Sequence, residues 1–189
     1  AFPVLGTVPA ELTQVENLYG VESDGSKAEK QNVLPLGFSI TYRKNRPFPH
    51  TLHLVPKTVV LGIGCKRGTE AESIRALIRE TLEQNQIFKE SICLIASIDL
   101  KKDEEGIRIC AEELGVPFVT WSAEELEQVR SEDGFMESAF VRSVAGVGNV
   151  CERSALKGAG TSRLLIRKTA HNGVTVAAAV KDYTVCMED

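Results

Sequence analysis

The feature that most constrains this chain is an unbroken apolar run, Thr58-Val59-Val60-Leu61-Gly62-Ile63, followed by glycines and then by helix-length periodicity. A strand without polar alternation has no face to give to water, so it belongs in a sheet covered on both sides. Past the turn Gly64-Cys65-Lys66-Arg67-Gly68, Thr69 and Glu72 have the spacing of a capping box. Ile74, Leu77, Ile78 and Leu82 then recur with the 3.6-residue period of an amphipathic helix. A second buried strand is expected at Ile92-Cys93-Leu94-Ile95-Ala96. The alternation repeats: Asp103 is placed to cap a helix with the stripe Ile107, Cys110, Ala111 and Leu114, closed by Gly115 and Pro117. Phe118-Val119-Thr120-Trp121 reads as a short strand, and Ser122 with Glu125 as a capping box for a helix with Leu126 and Val129 inward.

Residues 131–148 read as irregular, and Asn149 with Glu152 opens a last helix that runs to Lys157. Then Leu164-Leu165-Ile166-Arg167-Lys168 and Val174-Thr175-Val176-Ala177-Ala178 flank His171-Asn172-Gly173, and Asn-Gly between two strand patterns signals a hairpin. The expected fold class is therefore α/β: a mostly parallel, mixed sheet with flanking helices, finished by a C-terminal antiparallel β-hairpin. This domain is expected over 58–189. Residues 1–57 differ, with Gly and Pro punctuation and two short strand candidates, Gly37-Phe38-Ser39-Ile40-Thr41-Tyr42-Arg43 and Thr51-Leu52-His53-Leu54-Val55. Lys44–Pro49 between them reads as a turn or loop, and Glu22–Gln31 as a polar, solvated stretch.

Composition narrows the function classes. Hydrophobic residues at 43% and charged residues at 25% are the proportions of a globular chain, which argues against disorder. A net charge of −4 gives no footing for nonspecific nucleic-acid or membrane-surface binding, and no apolar run reaches bilayer-spanning length. The N-terminus, Ala1-Phe2-Pro3-Val4, lacks a signal-peptide pattern and a Met, so a cytoplasmic protein and a fragment or processed chain are expected. Cys65, Cys93, Cys110, Cys151 and Cys186 are widely spaced and odd in number, the usage of reduced thiols rather than of disulfides or a zinc site. His50 and His53 are read as facing one side of a strand without a third ligand, so no metal site is expected. A homo-oligomer is left open.

Two loops carry the candidate chemistry. Gly62-Ile63-Gly64-Cys65-Lys66-Arg67-Gly68-Thr69 leaves a buried strand at the carboxyl edge of the sheet, where ligands of open α/β sheets bind. Glycines admit a close backbone approach, N–H groups at a helix start attract anions, and Lys66 and Arg67 add positive charge. The spacing misses the dinucleotide fingerprint by one residue between Gly64 and Gly68, and no acidic residue ends a strand some 20 residues on. Anion binding and a tight packing turn stand equal here. Cys65 beside two cations invites a nucleophile reading, but without a nearby His a packing or pocket-lining role is preferred. The second loop, Ala96-Ser97-Ile98-Asp99-Leu100-Lys101-Lys102-Asp103, should reach the same edge. There Ser97, Asp99 and Lys101 offer a hydroxyl, a carboxylate suited to general-base work and a cation. Ser122, Asn149 and Lys168 are lesser candidates, the first two explained as caps and the third as an ordinary exposed lysine.

Val60-Leu61-Gly62-Ile63-Gly64-Cys65-Lys66-Arg67-Gly68-Thr69 resembles the opening motif of the C-terminal domain of cobalt-precorrin 5A hydrolase. Ala96–Lys101 with Asp103-Glu104 resembles that family's second signature, and Val150, Glu152, Ala155, Leu164–Lys168 and Gly173–Ala177 its closing pattern. The match runs from Val59 to Ala178 in order. Residues 1–57 would then be the tail of a middle region. The resemblance implies cobalamin (vitamin B12) biosynthesis: opening of the δ-lactone of cobalt-precorrin 5A with release of acetaldehyde. The partner would be a corrinoid bearing its own cobalt, with no further cofactor. On this reading Asp99 is the catalytic candidate, and Gly62, Gly64, Cys65, Arg67, Gly68, Thr69, Ser97 and Lys101 are the substrate-binding candidates. A non-catalytic corrinoid-binding or carrier module is the alternative, and a nucleotide-binding domain ranks third.

Overall fold

A computed structural model describes residues 2–5, 18–21 and 36–185. The chain forms two compact units, one of Ala1–Pro56 with Tyr183–Asp189 and one of Lys57–Asp182. The polar stretch Glu22–Gln31 lies outside the described residues.

The first unit is a parallel four-stranded sheet in the order β2-β1-β3-β4, with β1 at Phe2–Leu5, β2 at Leu18–Val21, β3 at Leu36–Ile40 and β4 at His50–Leu54. The last two are the strands expected from alternation: β4 is shifted toward the N-terminus by a residue, and β3 begins one residue earlier than expected and ends at Ile40 rather than Arg43. One reading is corrected. His50 and His53 are three apart on β4, and side chains alternate faces with a period of two, so they point to opposite sides.

In the second unit the apolar run becomes β5 (Val59–Cys65), whose Val59, Val60, Leu61 and Ile63 are wholly buried. Helix α1 (Ala71–Gln84) buries the expected Ile74, Leu77, Ile78 and Leu82. Its start departs from the expected capping box. Glu70 is the cap residue and makes no side-chain cap bond, while the Thr69 hydroxyl turns back to the Lys66 carbonyl at 2.7 Å. Strand β6 (Ile92–Ile98) leads into α2 (Glu105–Leu114), where Glu104 rather than Asp103 holds the cap position. The expected stop at Gly115 is present, with φ of 63°. Strand β7 (Phe118–Trp121) is followed by α3 (Ala123–Glu127), opened by the expected Ser122–Glu125 capping box.

Residues 131–148, expected to be irregular, contain a short helix α4 (Ala139–Ala145), capped by Ser138 and closed at Gly146 with φ of 79°. Helix α5 (Val150–Ala159) starts as expected, with the Asn149 side chain accepting from the Glu152 N–H. Strands β8 (Leu164–His171) and β9 (Val174–Val180) form the expected hairpin, and Asn172 and Gly173 both take positive φ, as an Asn-Gly hairpin turn requires.

The sheet order is β7-β6-β5-β9-β8, with β5, β6 and β7 parallel and β9 antiparallel to both β5 and β8. Strand β9 thus enters the middle of the sheet, which accounts for its small residues: Ala177, Ala178 and Ala179 are fully buried. Val60, Leu94 and Ala96 face α5 across Gly158, and by strand alternation Leu61 and Ile63 serve the opposite face. Helix α5 approaches so closely that a Cβ on Gly62 would stand 2.7 Å from the Ala155 nitrogen and nearer still to the Cys151 carbonyl. Here the glycine is required by backbone-to-backbone contact.

Candidate functional site

The carboxyl ends of β5 and β6 meet the start of α5, because α5 runs back along β5 with Cys151 over Gly62 and Gly158 over Val60. Three segments converge on that edge: the glycine loop, the turn at Asp99–Lys101, and residues 147–150, of which Val147 and Val150 pack against Ile98. The hairpin tip joins them. Lys66 donates its N–H to the Gly173 carbonyl at 3.2 Å, and its stem lies against Gly173.

The two loops expected to share this edge are bonded to each other, through a residue the sequence reading did not single out. Glu104, 7% exposed, accepts the Gly68 N–H with one carboxylate oxygen and the Lys101 ammonium with the other at 3.1 Å. Burial alone pushes the Glu104 carboxyl up. The Lys101 bond, the Gly68 and Thr69 amides and the Lys101 charge outweigh burial and hold it below the usual range. The Gly68 amide, open on sequence grounds to an anion or to a packing turn, is thus taken by the chain's own carboxylate. Gly68 has φ of 71° with open space where a side chain would go, so this glycine serves the backbone conformation.

Several site expectations are placed differently. Gly62 is sealed beneath α5 and serves packing, and Ser97 is fully buried with its hydroxyl donated to the Ile63 carbonyl at 2.7 Å. Both are screened from solvent, so they brace the strands that carry the edge. Gly64 is constrained by Thr175, whose hydroxyl donates to the Gly64 carbonyl at 3.2 Å and would lie 2.6 Å from an added Cβ. Cys65 is half-buried; burial raises its thiol pKa more than the Lys101 charge lowers it, which removes the motive for a thiolate nucleophile.

Lys66, Arg67 and Asp99 are exposed at the edge. Asp99 accepts a 2.6 Å hydrogen bond from Thr120 on the neighbouring strand, which orients one oxygen of its carboxylate. No group of three or more His, Cys, Asp or Glu side chains among the described residues is arranged to hold a metal ion.

A second polar cluster ties down the start of α5. Glu152, fully buried, accepts from the Met136 N–H at 3.1 Å, the Lys168 N–H at 2.8 Å and the Asn149 side chain at 2.6 Å. Lys168, taken from sequence for an ordinary exposed lysine, is half-buried and donates its ammonium to the Met136 carbonyl at 3.0 Å. Arg153 donates to the carbonyls of Leu126, Glu127 and Val129 and to Glu137 while lying 4.0 Å over the Phe135 ring. These bonds pin 126–138 to α5 and so fix the wall of the edge beside β6. In sequence Glu152 shows only its capping spacing with Asn149, and the partners that bury it come from residues 136 and 168.

Comparison with known proteins agrees with this architecture. The family model described as cobalamin synthesis G C-terminus matches residues 59–179. The cobalt-precorrin-5A hydrolase of Priestia megaterium is 34% identical over 128 residues, 68% of this chain and 33% of that protein. Its counterpart from Salmonella typhimurium is 38% identical over 134 residues, 71% of this chain and 37% of that protein. The chain thus spans about a third of the length of these curated relatives. The crystal structure of CobE, a protein of the cobalamin (vitamin B12) biosynthetic pathway, superposes with a TM-score of 0.60 at 31% identity, covering 67% of this chain and 93% of that one. A mixed sheet ending in an antiparallel hairpin, a glycine loop and Asp99 turn at one edge, and above all the family match over residues 59–179 place the chain in the cobalamin synthesis G C-terminal family.

Proposed function

We propose that this chain is the corrinoid-handling C-terminal portion of a cobalt-precorrin-5A hydrolase, a cytoplasmic enzyme that opens the δ-lactone of cobalt-precorrin 5A and releases acetaldehyde. The observation that carries the reading is the convergence of exposed Lys66, Arg67 and Asp99 on the carboxyl edge of a domain whose relatives bear that name. The ligand is a macrocycle bearing many carboxylates, and cations at the rim suit carboxylate recognition. Its cobalt arrives as part of the substrate.

Lactone opening needs a water relieved of a proton as it adds to the carbonyl, and a partner for the oxyanion that develops. Asp99, oriented by Thr120, is the group for the first task. The oxyanion partner is better sought in Arg67 and Lys66 than in the loop backbone. The Gly68 N–H is already given to Glu104 and the Lys66 N–H to Gly173. As the lactone carbon–oxygen bond breaks, the ring oxygen leaves as an alkoxide. Its collapse to an aldehyde carbonyl breaks the carbon–carbon bond to the macrocycle, whose carbon keeps the electron pair and takes up a proton, and acetaldehyde is freed.

A carrier role without turnover is the second reading. Its support is the covering of 93% of CobE by this chain, which makes the fold of the second unit nearly a whole protein there. Titration with a cobalt–corrin lactone, followed by absorbance with acetaldehyde assayed in the same tube, separates the two. Binding with release supports the hydrolase and binding alone supports the carrier. Normal turnover by an Asp99→Asn variant of the full-length enzyme would remove Asp99 from the mechanism.

A further inference from the structure

The bond between Glu104 and Gly68 joins residues 36 apart, and it is one of three close contacts between α2 with its cap residue and residues 68–71. Gly106 lies flat against the end of the loop, where a Cβ would collide with the Thr69 carbonyl. Cys110 donates its thiol to the Ala71 carbonyl at 3.5 Å. Glu104 alone of these three brings charge, and it takes a backbone amide and a lysine ammonium together. A carboxylate of this kind at an edge meant for anions is unfavourable by Coulomb's law alone, since it repels the incoming group and neutralises Lys101. Its presence calls for a gain of another kind.

We propose that Glu104 is the positioning residue of this edge: its buried carboxylate grips the Gly68 amide and the Lys101 ammonium at once and so sets the loop in the shape that receives a carboxylate-bearing corrin. The role rests on the corrinoid reading above. Rigidity is the gain. Gly68 stands at φ of 71° with open space where a side chain would go, so without Glu104 the hydrogen bonds left at the loop's tip among the described residues are Lys66–Gly173 and Thr69–Lys66. A loop that must be ordered by its ligand binds more weakly than one already ordered. Lys66 and Arg67 sit on this loop, so its shape decides where their charges stand.

The sign of the effect makes the proposal testable. The chain, Glu104→Gln and Glu104→Asp would each be titrated with cobyrinic acid, a cobalt corrin with free carboxylates, and followed by absorbance. Glutamine removes the repelling charge and presents its amide N–H to the Lys101 ammonium; aspartate keeps the charge but is too short to span both partners. Positioning predicts that both variants bind about tenfold or more weakly, the scale of losing a hydrogen bond to a charged group. Tighter binding by Glu104→Gln would show a plug rather than a support, and unchanged binding by Glu104→Asp would show a charge effect; either overturns the proposal. Hydrogen exchange at the Gly68 amide gives a second readout, slow in the parent chain and at least tenfold faster in both variants if Glu104 holds it. Absence of cobyrinic acid binding by the parent chain would count against the corrinoid reading, and the Gly68 exchange would still decide whether Glu104 sets the loop. Should Glu104→Gln fail to fold by circular dichroism, Glu104→Asp carries both measurements.

Discussion

Gly62→Ala tests the packing account of the glycine motif. The added methyl would sit 2.7 Å from the Ala155 nitrogen, about 1 Å inside the ordinary ~3.5 Å separation, and closer still to the Cys151 carbonyl. Both obstacles are backbone, so no rotamer change relieves them, and α5 must move as a body. It has little room: Cys151, Ala155 and Leu156 are 1%, 0% and 1% exposed and pack on Ala177 and Ala179. Overpacking of this kind costs about 3 kcal/mol, at the upper end of the usual range. Replacing glycine also removes freedom from the unfolded chain, which returns about 0.7 kcal/mol. The net expectation is a loss of about 2 kcal/mol, which lowers the melting temperature by about 8 °C. Trp121, the single tryptophan, packs against Val60 and Leu94 within the same unit, so its emission reports the relevant transition in urea or on heating. Gly115→Ala is the matched control. That glycine has φ of 63° and nothing within 4 Å, so only backbone strain of about 1–2 kcal/mol opposes the change, and the same unfolded-state term offsets part of it. A Gly62→Ala protein as stable as Gly115→Ala would refute the claim that α5 touches β5 through its backbone.

Glu152→Ala should destabilise by about 3–5 kcal/mol, because it strips a fully buried carboxylate from the Met136 and Lys168 amides and the Asn149 side chain; urea denaturation measures it, and a loss under 1 kcal/mol would contradict the cluster's role. Burial pushes the Cys151 thiol up to about 12 and the Cys110 thiol up to about 11, so both should resist alkylation at pH 8 in the folded protein and react once unfolded, read by mass spectrometry of labelled peptides. Glu104 is held below its unfolded value, so its contribution is present above about pH 4.3 and is lost as the pH falls through the lower folded value. The urea midpoint of the parent chain should therefore drop more steeply below pH 4.3 than that of Glu104→Gln, and parallel curves would remove the linkage.

The order of strands and helices after Lys57 was legible in sequence because each element announces itself locally. The run from Val59 to Ile63 has no polar residue, Ile74 to Leu82 keeps helical spacing, and Asn172-Gly173 suits only a tight hairpin. Helix α4 was not legible, since seven residues give barely two turns of periodicity and Gly146 and Gly148 mask them. The starts of α1 and α2 depart from the expected caps for a related reason. Cap spacing is common by chance, and the Thr69 hydroxyl found the Lys66 carbonyl instead.

Local pattern determined the strand–helix alternation, the edge at which both loops emerge and the family signature, because these depend on residues within a turn or two of one another. Only the tertiary structure decided what each site residue does, because that depends on groups tens of residues away. It put α5 onto Gly62, closed Ser97 against Ile63 and set Thr120 on Asp99. It also brought Glu104 to Gly68 across α1 and β6, so the chain's own carboxylate takes a loop amide that glycine spacing alone left open to a ligand or to packing.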